Sequence, residues 1–542
     1  DPADARDHDD AVWAMADDDP QNEGGFVVYV AIADVSYYVR PNSALDREAL
    51  KRGNSVYFPD RVVPMLPELI SNDLCSLREG EDRPALVVKL VFDKDGNKKN
   101  HKFLRILMKS AAKLSYDQAQ AAIDGKADAK SAPLLEPILK PLWAAYAAVK
   151  KAREKRAPLD LDMPERKIIM DDKGEIKDII TPDRFDAHKL IEEFMIQANV
   201  AAAETLEKKR SPLIYRVHDT PSDEKVQSLK DFLSTLDLSF GTSGPLMARS
   251  FNGILHKAKG KEWENMVTEV VLRSQSQAEY NPENYGHFGL NLSKYAHFTS
   301  PIRRYADLIV HRALVRSLNL GDGGLHEEEA DQLVEIAQQI SDYERRAMMA
   351  ERETVDRLIA SYLETREGAE FKGRIAGVTR AGLFVKLDDT GADGFIPIST
   401  LGNDYFIHDE DHQSLIGERT GETYHLGQRV DVRLVEIIPS AGAIRFEMIS
   451  DGLAGSVPSK GRLQGRRSAG GRSSRGDKGD KKGTSFKSRR EGGKTGKPAG
   501  KQNSQKFSTR KPADKSAKSS KKITGGFVKR KRISSSGKSR DK

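Results

Sequence analysis

The sequence predicts an α+β domain followed by a small all-β barrel and a disordered basic tail. Three observations support this order of parts. Strand-length apolar runs and long helical periods occur together in residues 1–363, whereas short strands between glycine-rich turns fill residues 367–450. Residues 451–542 are mainly Gly, Ser, Lys and Arg, and they cannot bury enough apolar surface to offset the entropy of an ordered chain.

The elements of the α+β domain follow from local patterns. Residues 53–77 are punctuated by proline and rich in aromatic side chains, which indicates a loop packed over a site. Runs of β-branched and aromatic residues predict strands over residues 11–16, 26–35, 85–92, 101–110 and 213–218. Helical periodicity predicts helices over residues 116–123, 134–155, 185–209, 222–236, 265–277 and 327–363.

The segment 286–312 combines charged and aromatic residues with a helix-start signal. Thr299 or Ser300 can cap a helix with Pro301 in its first turn. This start would place on that helix five side chains: Arg303, Arg304, Asp307, His311 and Arg312. Adjacent residues on a helix point about 100° apart, so we expect Arg304 to pair with Asp307 or with the sheet rather than to share the direction of Arg303.

The barrel is predicted from five strands in about 80 residues, a number that suits a small closed sheet. The strands cover residues 370–378, 382–387, 393–397, 428–437 and 443–448. Three phenylalanines on them, Phe371, Phe384 and Phe395, are candidates either for the barrel core or for a stacking surface.

Charge divides the chain in the same way as the sequence patterns. The chain carries 88 Lys and Arg against 81 Asp and Glu, a net charge of +7. Residues 452–542 alone hold 29 basic and 5 acidic residues, so the tail is strongly positive and the remainder is negative. A basic arm on an acidic body indicates a polyanionic partner for the arm.

Cysteine usage and hydropathy restrict the cellular setting. The single cysteine, Cys75, excludes an internal disulfide framework and a cysteine-cluster zinc site, and it is more typical of a buried small apolar residue than of a catalytic one. No run of 18 apolar residues and no signal peptide occurs. We therefore expect a cytoplasmic protein with no membrane partner. The sequence starts without Met and within a motif, so we also expect an upstream region.

The first ten residues, DPADARDHDD, contain five carboxylates directly before an apolar strand. Carboxylates cannot be buried at low cost unless cations compensate them. One interpretation is a frayed acidic terminus. The other is a site for hard divalent cations, which prefer carboxylate and water oxygens as ligands.

The chain resembles the catalytic domain of the ribonuclease II and ribonuclease R exoribonucleases, the RNB family, from residue 1 to about residue 363. The motifs that carry the resemblance are DPADARDHDDAV (1–12), VAIADVSYYV (30–39), PMLPE (64–68), LCSL (74–77), GHFGL (286–290) and FTSPIRRYADL (298–308). The barrel resembles the S1 domain, an OB-fold that binds RNA. The basic tail favours the ribonuclease R branch, whose N-terminal cold-shock region is not part of this sequence.

The resemblance implies an activity and a metal site. The implied activity is processive 3′→5′ hydrolysis of single-stranded, and in some members structured, RNA to nucleoside 5′-monophosphates. The implied cofactor is a pair of Mg²⁺ ions, with Mn²⁺ as a substitute, which activate water and neutralise charge on the phosphate. Carried over by motif, Asp1 and Asp10 hold one ion and Asp7 and Asp9 serve the other. Asp9 is the acid whose loss is expected to abolish turnover most completely.

Further site residues follow from the same resemblance. Arg303 matches the family's catalytic arginine, which can bind a phosphate through two hydrogen bonds, and Glu351 matches a glutamate near the site. Tyr57 matches a ring that stacks on the 3′-terminal bases. Tyr116 matches a position linked to the choice of RNA over DNA, and either Glu192 or Glu193 matches an acid that contacts the ribose. Where the family usually supplies a second clamp ring, this chain offers Leu161.

In the barrel, the S1 pattern implies that Phe384 and Phe395 face RNA, with His408 and Arg433 as companions. The implied partner is single-stranded RNA, the tail is expected to contact RNA or the ribosome, and the protein is expected to be a monomer. Two other classes stay open: an RNA-binding protein with an inactive catalytic domain, and a nuclease that acts on DNA or cuts internally.

Overall fold

The computed structural model describes residues 2–3, 5–161, 166–171, 174–241, 244–261, 263–410 and 412–454. These residues belong to one compact unit, which extends from Asp1 to Arg466. Almost all of the predicted disordered tail lies outside the described residues. Asp1, a predicted metal ligand, also lies outside them.

The first two thirds of the described chain contain ten short and long strands interleaved with helices. The strands are β1 (Asp10–Ala16), β2 (Phe26–Ala33), β3 (Val56–Tyr57), β4 (Val62–Val63), β5 (Asp82–Phe92), β6 (Lys98–Lys109), β7 (Lys167–Met170), β8 (Ile176–Ile180), β9 (Tyr215–Val217) and β10 (Glu279–Asn281). The helices are α1 (Val35–Tyr38), α2 (Ala44–Arg52), α3 (Tyr116–Ile123), α4 (Ala132–Leu134), α5 (Lys140–Arg156), α6 (Asp186–Lys208), α7 (Asp223–Ser234), α8 (Ala248–Ala258), α9 (Glu264–Ser274), α10 (Tyr305–Ser317), α11 (Glu327–Asp331) and α12 (Leu333–Leu363).

An antiparallel sheet in the order β1-β2-β5-β6 forms the centre of the α+β part. Its registers put Val12 opposite Val30 and Val30 opposite Val88. Successive side chains of a strand point to opposite faces, so these apolar residues share one face. That face joins a large core with α5, α6 and α10, to which Val149, Phe194 and other buried residues contribute. The carboxylate of Asp10, at the start of β1, lies at the edge of the same face.

The barrel closes from five strands in the order β11-β12-β13-β18-β17. They are β11 (Glu370–Thr379), β12 (Gly382–Leu387), β13 (Asp393–Pro397), β17 (Arg429–Ile438) and β18 (Ala443–Met448), and they confirm the five predicted strands to within one residue at each end. A second sheet beside the barrel was not predicted. It pairs β14 (Phe406–Asp409), β15 (Ser414–Gly417), β16 (Glu422–His425) and β19 (Leu453–Ala454).

The start of α10 differs from its predicted position. The helix begins at Tyr305, so Arg303 and Arg304 precede it instead of lying on it. The reason is that backbone groups of residues 303–305 bind another segment: Arg303 O accepts from Ser55 N–H at 3.0 Å, and Tyr305 N–H donates to Gly53 O at 2.9 Å. The cap prediction was therefore wrong, because the turn before the helix is held by residues distant in sequence.

Several further elements were missed, among them the helices α2 and α8 and the hairpin β7–β8. Cys75 is buried, as expected. Among the helices of the described residues, none combines the length and the apolar composition that crossing a membrane would require.

Candidate active site

The acidic segment enters the molecule as a continuation of β1. Asp10 pairs with Ile32 as the first residue of the strand, and Asp9 O accepts from Ala33 N–H at 2.8 Å. On its other side, His8 N–H donates to Ser76 Oγ at 3.1 Å and His8 O accepts from Leu77 N–H at 3.0 Å. The acids are therefore held in an extended segment between two neighbours, which argues against the interpretation of a frayed terminus for residues 8–10.

Among the described acids of residues 5–10, Asp9 is the most deeply buried, with 8% of its surface exposed. Its Oδ1 accepts from Ile302 N–H at 3.1 Å, which ties it to a segment 293 residues away. Burial raises the pKa of Asp9 to about 8, against the opposing effects of the Arg303 charge and of this hydrogen bond. Burial also raises the pKa of Asp10. For both carboxylates the cost of burial therefore outweighs the compensation that nearby positive charge gives the ionised form.

Arg303 lies in the turn before α10 with its side chain exposed. Its Nη2 donates to Ser300 Oγ at 3.2 Å. Within the described part of the chain, no carboxylate lies within ion-pair distance of its guanidinium, yet its charge lowers the pKa of both Asp9 and Asp10. The guanidinium is thus near the acids and has hydrogen-bonding capacity left for an anionic ligand.

The neighbouring arginine has a different role. Arg304 Nε and Nη2 donate to the two carboxylate oxygens of Asp307, each at 2.8 Å, and this pairing confirms the sequence prediction. Asp307 is fully buried, and its Oδ1 also accepts from Ser300 N–H at 2.7 Å. This pair fixes both ends of the turn that presents Ile302 and Arg303 to Asp9.

Tyr57 and Glu351 meet beside this turn. Tyr57 is 41% exposed, and its N–H donates to Glu351 Oε1 at 2.7 Å. Burial of the hydroxyl and the nearby charge of Asp7 raise the pKa of Tyr57 to about 12, while Arg303 opposes the shift. The hydroxyl is therefore uncharged at neutral pH. Glu351 reaches Tyr57 from α12, so the structure brings together residues that the sequence separates by nearly 300 positions.

The approach of α12 to this segment depends on Gly53. This residue ends α2 with φ of 75°, a left-handed backbone conformation, and a Cβ there would meet Tyr343 Cδ2 at 2.9 Å. Between α12 and the segment that follows Gly53 lies a cleft of about 230 Å³, and Tyr57, Arg303 and Glu351 are among its lining residues. Leu161 does not line this cleft. It packs against the apolar cluster that contains the barrel core.

Tyr116 begins α3 on another side of the acids. Its ring stacks on His188 with a centroid distance of 4.0 Å and an interplanar angle of 25°. Burial and the charge of Asp10 raise the pKa of Tyr116, and Arg303 opposes the shift. The electrostatic effects place Tyr116 near both the acids and the arginine, while the stack on His188 fixes its ring plane. His188 was not singled out from the sequence.

The two candidate ribose-contacting glutamates differ sharply in environment. Glu193 is 1% exposed and accepts from Arg153 and from both terminal nitrogens of Arg156 at 3.2 Å, and from Gln197 at 3.0 Å. Glu192 is partly exposed and pairs with Arg153 at 3.5 Å and with Arg184 at 2.5 Å. Both glutamates therefore have arginine partners, and they differ in that Glu193 is buried and Glu192 is partly open to solvent. The basic residues in the last turn of α5, Ala-Arg-Glu-Lys-Arg, are the sequence feature from which Arg153 and Arg156 could have been predicted.

The barrel residues divide into outer and inner positions. Phe384 and Phe395 lie opposite each other on β12 and β13, with ring centroids 5.1 Å apart, and Phe384 is 43% exposed. Phe371 packs against the core cluster. Both ring nitrogens of His408 are buried, and neither has a hydrogen-bond partner among the described residues. Arg433 pairs with Glu370 and Glu447 at 3.0 Å each, so an RNA phosphate would have to replace these carboxylates.

The chemistry of the acids fits a hard divalent cation, although the described residues alone do not complete a site. Among them, no three side chains of His, Cys, Asp or Glu come close enough together to hold an ion. The predicted fourth ligand, Asp1, lies outside the described residues. The observation that supports a fit is the burial of Asp9 and Asp10 with no cation at ion-pair distance among the described residues, since a bound cation would supply the missing charge.

Comparison with known proteins identifies two matching families. Residues 1–319 match the RNB domain, and residues 364–449 match the S1 RNA binding domain. These matches and the closed barrel confirm the predicted fold class.

Individual relatives agree with the family matches. The chain is 41% identical over 457 residues to ribonuclease R of Vibrio parahaemolyticus serotype O3:K6, an alignment that covers 82% of this chain and 54% of that protein. Ribonuclease R of Escherichia coli K12 is also 41% identical, with 82% of this chain and 56% of that protein covered. The chain therefore spans little more than half the length of these relatives. A structure of Mycoplasma genitalium RNase R in complex with ribose methylated single-stranded RNA aligns with a TM-score of 0.78 at 32% identity, over 83% of this chain and 70% of that chain.

Proposed function

Because this chain belongs to the RNB family and carries an S1 domain behind its RNB domain, we propose that it is a Mg²⁺-dependent exoribonuclease. The proposed reaction is processive 3′→5′ hydrolysis of single-stranded RNA to nucleoside 5′-monophosphates. The observation that carries the proposal is the meeting of Asp9 with Ile302 and Arg303, beside the exposed ring of Tyr57. A protein that only binds RNA has no need to bury carboxylates that face a polyanion.

The residues of the chain divide the work of phosphodiester hydrolysis. Arg303 binds the scissile phosphate and stabilises the charge that develops on its oxygens, because its guanidinium is exposed and lacks a described carboxylate partner. Tyr57 stacks on a terminal base, and the hydrogen bond from its N–H to Glu351 fixes the segment that carries the ring. Glu351 therefore acts through Tyr57 in this proposal. Tyr116, rigid against His188, borders the ribose of the terminal nucleotide.

The proposed metal ligands are Asp1, Asp7, Asp9 and Asp10. Bound divalent ions make a water more acidic and neutralise charge on the phosphate. The contribution of the protein is to hold the carboxylates in an extended segment. The hydrogen bond from Ile302 N–H leaves the second oxygen of Asp9 available for a ligand.

The barrel supplies a second contact with the same strand. Phe384 and Phe395 form an outward aromatic pair of the kind on which bases stack without regard to sequence. His408 and Arg433 are the proposed polar companions, and the basic tail adds phosphate attraction that weakens as salt rises. The proposed partners are single-stranded RNA and, for the tail, RNA or the ribosome. The proposed state is a cytoplasmic monomer.

The test follows the shortening of 5′-labelled single-stranded RNA with Mg²⁺. The wild type is compared with Asp9→Asn and with the matched control Asp18→Asn, which alters an exposed acid on the loop after β1. We expect a ladder that shortens from the 3′ end in the wild type and in the control, and no shortening in Asp9→Asn.

Other outcomes would assign the chain to another class. Intact RNA that remains bound to the wild type would indicate an RNA-binding protein and overturn the proposal. Cleavage of circular RNA would indicate an endonuclease. Shortening of the matched DNA at the same rate would indicate that the sugar is not recognised.

A further inference from the structure

A second cavity lies on the side of the acidic segment opposite the cleft. Its volume is about 450 Å³, and none of its lining residues lines the cleft of Tyr57 and Arg303. The lining contains four cationic side chains and one acid, together with Ala5, His8 and Asn72. The charged residues are Arg6, Arg78, Lys113, Lys130 and Glu79.

The acidic segment separates the two cavities by the alternation of its side chains. Arg6 and His8 line the second cavity. Asp7 and Asp9 instead act electrostatically on the hydroxyl of Tyr57 in the cleft. Successive side chains of an extended chain point to opposite sides. Residues 6–9 therefore present Asp7 and Asp9 to the cleft, and Arg6 and His8 to the second cavity.

Two of the four cations are neutralised by ion pairs, one with an acid of the cavity lining and one with an acid outside it. Lys130 pairs with Glu79 at 2.7 Å, and Arg78 pairs with Asp73 at 3.1 Å. Lys113 Nζ donates to Ala5 O at 2.9 Å, a neutral acceptor. In the described part of the chain neither Lys113 nor Arg6 forms an ion pair. The cavity thus retains a net positive charge directly behind the acids.

We propose that this second cavity binds the released nucleoside 5′-monophosphate through its phosphate, with Lys113 as the principal contact. This inference rests on the proposed function, because hydrolysis produces one such dianion in each cycle while the remaining strand still occupies the cleft. A product that leaves on the far side of the acidic segment does not have to pass the incoming strand. Cations on that side favour the dianion over the neutral bases of the RNA.

The test measures binding of adenosine 5′-monophosphate to the full chain by isothermal titration calorimetry, with adenosine as the ligand that lacks the phosphate. Two variants, Lys113→Met and Lys130→Met, remove one cation each, and Lys109→Met is the control outside the cavity. We expect affinity for the monophosphate to fall about tenfold in Lys113→Met, since a hydrogen bond to a charged group is lost. A smaller loss is expected in Lys130→Met, which leaves Glu79 unpaired in the cavity, and no loss in the control.

A second arm separates the cavity from the cleft. Arg303→Ala is expected to keep most of the affinity for the monophosphate. If Arg303→Ala abolishes binding while Lys113→Met and Lys130→Met bind as the wild type does, the product remains in the cleft and the inference is wrong. Lys130 is exposed and distant from the acids in sequence, so its variant tests the cavity even if Lys113→Met fails to fold.

RNA shortening in the presence of added monophosphate separates this inference from the proposed function. We expect the monophosphate to inhibit the wild type and to inhibit Lys130→Met less strongly. If the wild type shortens RNA and the monophosphate inhibits the wild type and Lys130→Met equally, the cavity assignment is overturned while the proposed exonuclease activity stands. Absence of shortening, with phosphate-dependent binding that requires Lys113, would overturn the exonuclease and leave the cavity as a nucleotide site.

Discussion

Replacement of Asp307 by Asn tests whether one buried ion pair organises the active site. The carboxylate is fully buried and accepts three hydrogen bonds of 2.7 to 2.8 Å, two from Arg304 and one from Ser300 N–H. Asn has nearly the same volume but offers one oxygen and no charge. The amide nitrogen would face either the guanidinium or the Ser300 N–H, and both of these are donors.

The expected loss of stability follows from this geometry. Removal of one member of a buried ion pair costs about 3–5 kcal/mol, because the remaining charge stays buried without a partner. The Arg304 side chain is 21% exposed, so water can reach part of its guanidinium. We therefore expect a loss at the lower end, about 3 kcal/mol. Ile302 and Arg303 lie on the turn that the pair fixes, and a displacement of about 1 Å in a catalytic group can slow turnover about 100-fold.

The assays are urea unfolding followed by circular dichroism and RNA shortening at saturating substrate. The double variant Arg304→Gln/Asp307→Asn removes both charges, and it is expected to lose less stability than the sum of the two single variants. Stability of Asp307→Asn within about 1 kcal/mol of the wild type, far below the cost of an unpaired buried charge, together with unchanged turnover, would refute the reasoning.

Four other predictions concern separate parts of the molecule. Tyr57→Ala should weaken RNA binding, measured by fluorescence anisotropy, by about 1–3 kcal/mol. Tyr57→Phe should bind RNA nearly as the wild type does, because the ring and not the hydroxyl stacks on the base. Phe384→Ala should weaken RNA binding without lowering the unfolding temperature, since this ring is 43% exposed. Arg312 pairs with two buried carboxylates, and its replacement leaves both of them without this ion-pair partner. Arg312→Met should therefore destabilise the fold by about 3–5 kcal/mol, measured by urea unfolding. Burial lowers the pKa of His287 to about 3. The unfolded chain therefore binds a proton at His287 below pH 6.5 that the folded chain excludes, so the free energy of unfolding falls as pH decreases. His287→Gln should reduce the fall in the free energy of unfolding between pH 7.5 and 5 by about 2 kcal/mol.

The sequence predicted most elements whose side chains alternate or repeat along a single segment. The barrel strands are examples, since each has its own apolar pattern and its own glycine-rich turn. The second sheet beside the barrel was missed because its strands are two to four residues long and are formed by pairing rather than by propensity.

The active site shows the same division between local and distant causes. The pairing of Arg304 with Asp307 could be predicted, because the two are three residues apart. The start of α10 could not, because Ser55 and Gly53 bind Arg303 O and Tyr305 N–H, which a helix starting at Pro301 would have used in its own backbone hydrogen bonds. The burial of Glu193 also depends on arginines from another helix, and its own sequence neighbours do not reveal them.

The hydrogen bond from Ile302 N–H to Asp9 also determines when, during synthesis of the chain, the site can form. The acids are made first, but their partners Ile302 and Arg303 follow about 290 residues later, and Glu351 follows later still. A growing chain that has exposed the acidic segment therefore has no arginine for the phosphate and no support for Tyr57. Chain closure over such a separation comes late in folding. The proposed nuclease would thus gain activity only when the RNB domain is nearly complete, and the message being translated would be protected from a half-made enzyme.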